Sequence, residues 1–267
     1  MTVERVHILP LGALGVDRTR IMRKEGAYLD RATCMTQGRW IRTPMHSVLI
    51  EHSDGIVCWD TGAPRAWKAR WAGTSIDELS PYEYVKDGDF FEDRLAQLQL
   101  SPSDINIVVL SHLHCDHAGN LSVFDGLGTR LVVHEREHQA AMSFSGEASG
   151  AYIRADYASC KFETVTGDME LLPGLRLLET PGHTPGSMSL RVETREAGVL
   201  LFVGDAVYLR EAYSPPKVPG IVWSEEMWRK SVERIRLIEE GEDALVVFGH
   251  DAAQLGRLRL APTSYYV

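Results

Sequence analysis

Short runs rich in Val, Ile and Leu recur along the whole chain, at 6–11, 47–51, 56–59, 105–110, 130–133, 175–179, 188–192, 199–203 and 244–248. Their β-branched content and length predict strands. Between them the apolar spacing turns helical. The clearest case opens on Ser224 as N-cap, places Glu225 and Glu226 in its first turn, repeats Trp228, Val232, Ile235 and Ile238 on one face, and is predicted to end at Gly241. A second helix is predicted over 90–100, stopping at Ser101-Pro102, and a third over 135–142. Strands interleaved with helices predict an α/β or α+β sandwich. No repeat, low-complexity tract or Ser/Gly linker divides the sequence, so 1–267 reads as one domain. The stretch 63–91 stands apart, because Trp67, Trp71, Tyr82, Tyr84, Phe90 and Phe91 fall there without clear periodicity. It reads as a lid, a pocket wall, a subunit contact or an insertion packed on the core.

Composition narrows the classes. A chain of 267 residues that is 44% hydrophobic can bury a core without disulfide or metal staples, so structure alone requires no metal. With 28 basic and 37 acidic side chains, the net charge of −9 opposes a sequence-independent hold on a polyanion, which excludes nucleic acid and anionic membrane as expected partners. Cys34, Cys58, Cys115 and Cys160 are widely spaced and form no C-x-x-C pair, which fits reduced thiols in a cytoplasm. The apolar stretch 6–16 is short and contains Pro10 and two glycines, so it reads as a strand and turn, with no signal peptide. No run of about 18 apolar residues occurs that would span a membrane.

The chemistry concentrates directly after the strand at 105–110. Ser111-His112-Leu113-His114-Cys115-Asp116-His117 puts three imidazoles and a carboxylate within six residues. Residues leaving a strand project alternately, so His112 and His114 can point one way while Asp116 and His117 turn toward a neighbouring point. Two metals become feasible. A zinc site wants four ligands, and further candidates each follow a predicted strand: His183 in the rigid Thr180-Pro181-Gly182-His183-Thr184-Pro185-Gly186 loop, Asp205 after Val203-Gly204, and His250 after Phe248-Gly249.

This H-x-H-x-D-H pattern, with His183, Asp205 and His250, resembles the metallo-β-lactamase superfamily, and most of all its N-acyl-homoserine lactonases. The resemblance covers nearly the whole chain and extends to Tyr208, three residues after Asp205. It implies a four-layer αβ/βα sandwich and a dinuclear zinc site, with cobalt, manganese or iron as other metals that nitrogen and oxygen ligands admit. His112, His114 and His183 would hold one ion, Asp116, His117 and His250 the other, and Asp205 would bridge both. The implied reaction is opening of a lactone ring by a bridging hydroxide, with Tyr208 stabilising the oxyanion and Asp116 carrying the proton. Asp60, in Asp60-Thr61-Gly62, would orient a ligand imidazole, or else cap a turn.

Cys115 occupies the place where the best-known lactonases carry a bulky aromatic, so it is read as a small pocket-lining residue. His7, His46, His52, His134 and His138 match no ligand position and are read as surface or core residues. The expected partner is a small lactone, and the expected assembly a monomer or homodimer. Hydrolysis of another lactone or ester, such as a pyridoxolactone, and glyoxalase-II-like thioester hydrolysis are the competing readings.

Overall fold

The Val, Ile and Leu runs pair into two sheets. The computed structural model describes residues 2–23 and 31–267. Its strands in chain order are β1 Val3–Asp17, β2 Trp40–His52, β3 Gly55–Trp59, β4 Ile105–Val109, β5 Arg130–His134, β6 Ala148–Ser149, β7 Tyr152–Ile153, β8 Phe162–Val165, β9 Met169–Leu172, β10 Leu175–Glu179, β11 Met188–Glu193, β12 Val199–Phe202 and β13 Leu245–Val247. Six form one sheet in the order β1-β2-β3-β4-β5-β8, five form a second in the order β13-β12-β11-β10-β9, and β6 and β7 make a short ribbon.

Alternation of side chains explains how the sheets stack. Val48 and Ile50 on β2, Leu175 and Leu177 on β10, and Leu200 and Phe202 on β12 enter one shared core between the sheets. Their neighbours Leu49 and Cys58 face the other way, into a core with the Trp67–Trp71, Phe91–Gln97 and Glu135–Ser143 helices. On the far side Leu178, Val199 and Leu201 meet Trp228, Val232 and Ile235 of the Glu225–Glu242 helix. Both faces of both sheets are thereby covered, giving helices, sheet, sheet, helices, the four-layer sandwich. Trp228 is fully buried, and its indole donates to the Ala206 carbonyl at 2.7 Å, so the helix packing also fixes the loop that carries Asp205.

Three local expectations need correction. The first strand does not turn after residue 11: β1 runs to Asp17, and the Pro10-to-Ala13 segment is a register shift within its ladder to β2, with Gly12 at a φ of 76°. The predicted turn is a bulge. The long helix passes through Gly241 to Glu242, because Asp243 takes the left-handed cap conformation at φ 50° that a glycine was expected to provide. The helix predicted over 90–100 is shorter, Phe91–Gln97, with Phe90 as N-cap and Gln99 at φ 61°.

Within 63–91, Trp71, Tyr82 and Phe91 are fully buried on the outer face of the first sheet, and the Tyr82 hydroxyl donates to the Leu11 carbonyl. Ile76 and Ser80 from the same stretch line a cleft described below. The stretch is both an insertion packed on the core and a pocket wall. Among the described residues, no helix is long and apolar enough to cross a membrane.

Candidate metal centre

The loops that carry the candidate ligands leave the same edge of the two sheets. After β4, residues 110–114 extend to the short helix Cys115–Ala118, which presents Asp116 and His117; His183 follows β10, Asp205 lies in the turn Gly204–Ala206 after β12, and His250 follows β13. Two glycines permit the close approach. A side chain at Gly182, whose φ is 140°, would collide with the backbone of Trp228, and one at Gly249 would collide with the Gly204 carbonyl. The first docks the His183 loop onto the start of the Glu225–Glu242 helix, where Trp223 and Ser224 amides donate to the Gly182 carbonyl at 2.8 and 3.0 Å.

Two clusters result. The ligating atoms of His112, His114, His183 and Asp205 lie within 4.8 Å of one another, and so do those of Asp116, His117 and His250. Asp205 faces both: its Oδ2 is 3.2 Å from His183 Nε2 and 3.8 Å from His112 Nε2, while its Oδ1 is 3.0 Å from His250 Nε2 and 3.3 Å from His117 Nε2. Asp116 Oδ2 stands 3.6 Å from His117 Nε2 and 3.7 Å from His250 Nε2. His114 turns its Nδ1 inward, 3.0 Å from His183 Nε2.

The other ring nitrogens are held from behind. Ser111 Oγ lies 3.0 Å from His112 Nδ1, Asp60 Oδ2 2.8 Å from His117 Nδ1, the Pro44 carbonyl 2.9 Å from His250 Nδ1, and the Tyr208 hydroxyl 2.9 Å from His183 Nδ1. Asp60 also accepts from the Ser111 amide and hydroxyl, both at 2.7 Å, and adopts a φ of 56°. Such a backbone conformation is uncommon outside glycine and is retained where surrounding contacts enforce it. These hydrogen bonds fix which nitrogen of each ring faces inward, the arrangement that metal-binding histidines require.

The inward nitrogens of His112 and His117 are buried and make no hydrogen bond. Buried polar atoms are otherwise nearly always satisfied, so this aimed, unpartnered nitrogen-and-carboxylate set fits a divalent metal.

Electrostatics divide the clusters. Burial, reinforced by neighbouring imidazoles, holds His112 and His114 well below the usual histidine range, and burial also lowers His183. Burial opposes charge on His117 and His250 as well, but there the carboxylates prevail. Asp205, Asp116 and Asp60 lift His117 well above the usual range, and Asp205 and Asp116 raise His250. Asp205 itself is pushed upward by burial, yet His250, His117 and His183 hold it well below the usual carboxylate range. Burial, then Asp205 and Asp116, push the Tyr208 phenol well above its ordinary value, so it remains a neutral donor.

His114, His183, Asp205 and Asp116 open onto a cleft of about 550 Å³ whose lining includes Val16, Ile21, Ile76, Phe144, Tyr152 and Trp223 beside Tyr208 and His250. Cys115 lines the same cleft; burial, then Asp116, raise its thiol well above the ordinary range, which keeps it uncharged.

Of the histidines set aside in the sequence, His7 pairs with Glu51, His52 meets the Pro173 carbonyl, and His134 accepts from the Arg136 amide at the start of a helix. His46 differs. It borders a narrow void together with Asp60, His117 and His250, and burial foremost lowers its pKa to about 3. Sequence reasoning also missed Ser111, although it directly precedes His112, and the Pro44 carbonyl, which carries no side-chain signal.

The metallo-beta-lactamase superfamily model matches residues 41–250. An N-acyl homoserine lactonase, AiiB, from Agrobacterium fabrum is 32% identical, with 98% of this chain and 99% of that protein covered. The N-acyl homoserine lactonase of Bacillus thuringiensis is 28% identical over the same shares of the two chains. Among solved structures, an N-acyl homoserine lactone hydrolase with its product N-hexanoyl-L-homoserine bound at the catalytic metal center aligns over 100% of both chains, with a TM-score of 0.85 and 26% identity. Ligand loops at one sheet edge, a four-layer sandwich around them and these matches agree: the chain belongs to the metallo-beta-lactamase superfamily.

Proposed function

We propose that this protein is a metal-dependent hydrolase that opens the lactone ring of N-acyl-homoserine lactones, acting as one domain over 1–267 with two zinc ions per chain. The observation that carries the reading is the shared carboxylate: Asp205 gives one oxygen to each of two ligand clusters, and the centre opens onto a largely apolar cleft. Full-length relatives named N-acyl homoserine lactonase support the substrate class.

His112, His114 and His183 would hold one ion, Asp116, His117 and His250 the other, and Asp205 both. Bound there, divalent metals supply Lewis acidity and make a water nucleophilic near neutral pH. The chain's own groups do the rest. With Nε2 of His183 turned inward, its Nδ1 carries the proton and donates to the Tyr208 oxygen, which frees the phenol hydrogen to point at a lactone carbonyl. Neutral because it is buried among carboxylates, Tyr208 then stabilises the oxyanion as charge develops. Asp116, between His117 and His250 and on the cleft, receives the nucleophile's proton on a carboxylate oxygen and passes it to the leaving alkoxide. Val16, Ile21, Phe144 and Trp223 offer apolar surface to an acyl tail, and Cys115 lines the same cleft as a small side chain. The proposed location is cytoplasmic, supported by four cysteines that form no disulfide.

The test is to count metal per purified chain and follow acid release from acyl-homoserine lactones, simple lactones, a thioester and a β-lactam. Two metals and preferential opening of acyl-homoserine lactones are the expected result. Turnover confined to the thioester or to a simple lactone replaces the substrate reading, and metal without turnover removes the enzyme reading.

A further inference from the structure

Glu137 lies on the Glu135–Ser143 helix and is fully buried, yet it takes no part in either ligand cluster. Its carboxylate collects donors from three separate segments. Oε1 accepts from the Leu113 amide at 3.0 Å and from the Tyr152 hydroxyl at 2.8 Å, and Oε2 accepts from the Gly186 amide at 3.2 Å. Leu113 sits between His112 and His114, and Gly186 closes the loop that carries His183. Tyr152 in turn packs its ring edge-on against His114, with centroids 4.6 Å apart. A buried carboxylate persists where hydrogen-bond donors offset its desolvation, and such charge-assisted bonds hold their donors more firmly than neutral ones.

We propose that Glu137 is a positioning residue for the first cluster alone: it ties the His112-to-His114 segment, which leaves the six-stranded sheet, to the His183 loop, which leaves the five-stranded sheet. It thereby sets how closely their imidazoles approach. Leu113, Tyr152 and Gly186 all stand apart from Asp116, His117 and His250. The room around it is closed, since a side chain at Gly186 would collide with the backbone of Glu137. A carboxylate suits this place and an amide does not. In Glu137→Gln one of the two terminal atoms becomes a donor and faces either Gly186 N–H or the Leu113 and Tyr152 pair.

The inference rests on the two-cluster ligand reading, and the experiment separates the two. Cobalt(II) affinity and absorption spectra are measured in a His117→Ala background, which leaves the first cluster, and in a His183→Ala background, which leaves the second, each with and without Glu137→Gln. The expected result is an affinity loss of about 10- to 100-fold in the first background, with altered cobalt absorption bands, and a change within about threefold in the second. Equal losses in both backgrounds, or none in either, overturn the proposal. Should neither background bind cobalt while the parent protein also fails to, the ligand reading itself falls. If Glu137→Gln does not fold, Tyr152→Phe keeps the ring against His114 and removes one donor, and it should weaken the first site alone by a smaller factor; no shift there also overturns the proposal.

Discussion

Two regions only a few ångströms apart use the same residue types in opposite electrostatic states. In the first cluster, burial decides, and His112, His114 and His183 are all driven toward the neutral form. In the second, equally buried His117 and His250 are driven the other way by Asp205 and Asp116, with Asp60 added behind His117. What stands behind the rings follows the same division. The Ser111 hydroxyl and the Tyr208 phenol make the shortest contacts behind the first cluster, with the Ile221 carbonyl 3.4 Å from His183 Nδ1, whereas Asp60 and the Pro44 carbonyl make the shortest behind the second, with Ser111 Oγ 3.4 Å from His117 Nδ1. Burial fixes no protonation state by itself; how strongly the neighbouring carboxylates act against it settles the sign.

The strongest way to break this contrast is to remove the group the clusters share. Asp205→Ala should abolish tight metal binding at both and lower kcat/KM by about 10³-fold or more, equivalent to roughly 4 kcal/mol, as measured by metal content and lactone turnover. Tyr208→Phe acts on the first cluster's backing. It should lower kcat by about 10²-fold while metal content stays unchanged, because the phenol is used by substrate more than by its histidine. Asp60→Asn acts on the second cluster's backing and should do the reverse, weakening cobalt or zinc retention against a chelator by about 10- to 100-fold at the His117 site. Ser111→Ala should give the smallest effect. It removes a hydroxyl that touches both His112 and Asp60, and a neutral hydrogen bond of about 1 kcal/mol corresponds to about a fivefold change in metal affinity. An Asp60→Asn protein that loses activity but keeps its metal would end the distinction between the two kinds of backing.

The candidate ligands were more legible in the sequence than the residues that hold them. His112, His114, Asp116 and His117 fall within six residues, and His183, Asp205 and His250 each follow an apolar run, so local pattern alone brings all seven into view. Asp60 could be read only as one of two roles, because its bonds to Ser111 and His117 form when separate segments meet. Glu137 was invisible for the same reason. On its helix it is one acidic residue in Glu135-Arg136-Glu137, and nothing in that spacing says that it alone turns inward. The fold shows the same limit. The alternation that builds both sheets was plain, but the bulge at Pro10-to-Ala13 and the left-handed Asp243 depend on pairing partners and caps that periodicity does not encode.

The cleft has walls of a different origin from its floor. Val16 and Ile21, Ile76 and Ser80, Phe144 and Trp223 come from segments that hold no candidate ligand, while the floor comes from loops interlocked at Gly182 and Gly249. Exchanging Val16, Ile21, Ile76 or Ser80 therefore leaves the floor's contacts intact, whereas the segments of Phe144 and Trp223 also brace it, through Glu137 and the Gly182 carbonyl. Descendants of such a chain can change their diet by exchanging surface loops, and inherit the reactive centre without having to invent it again.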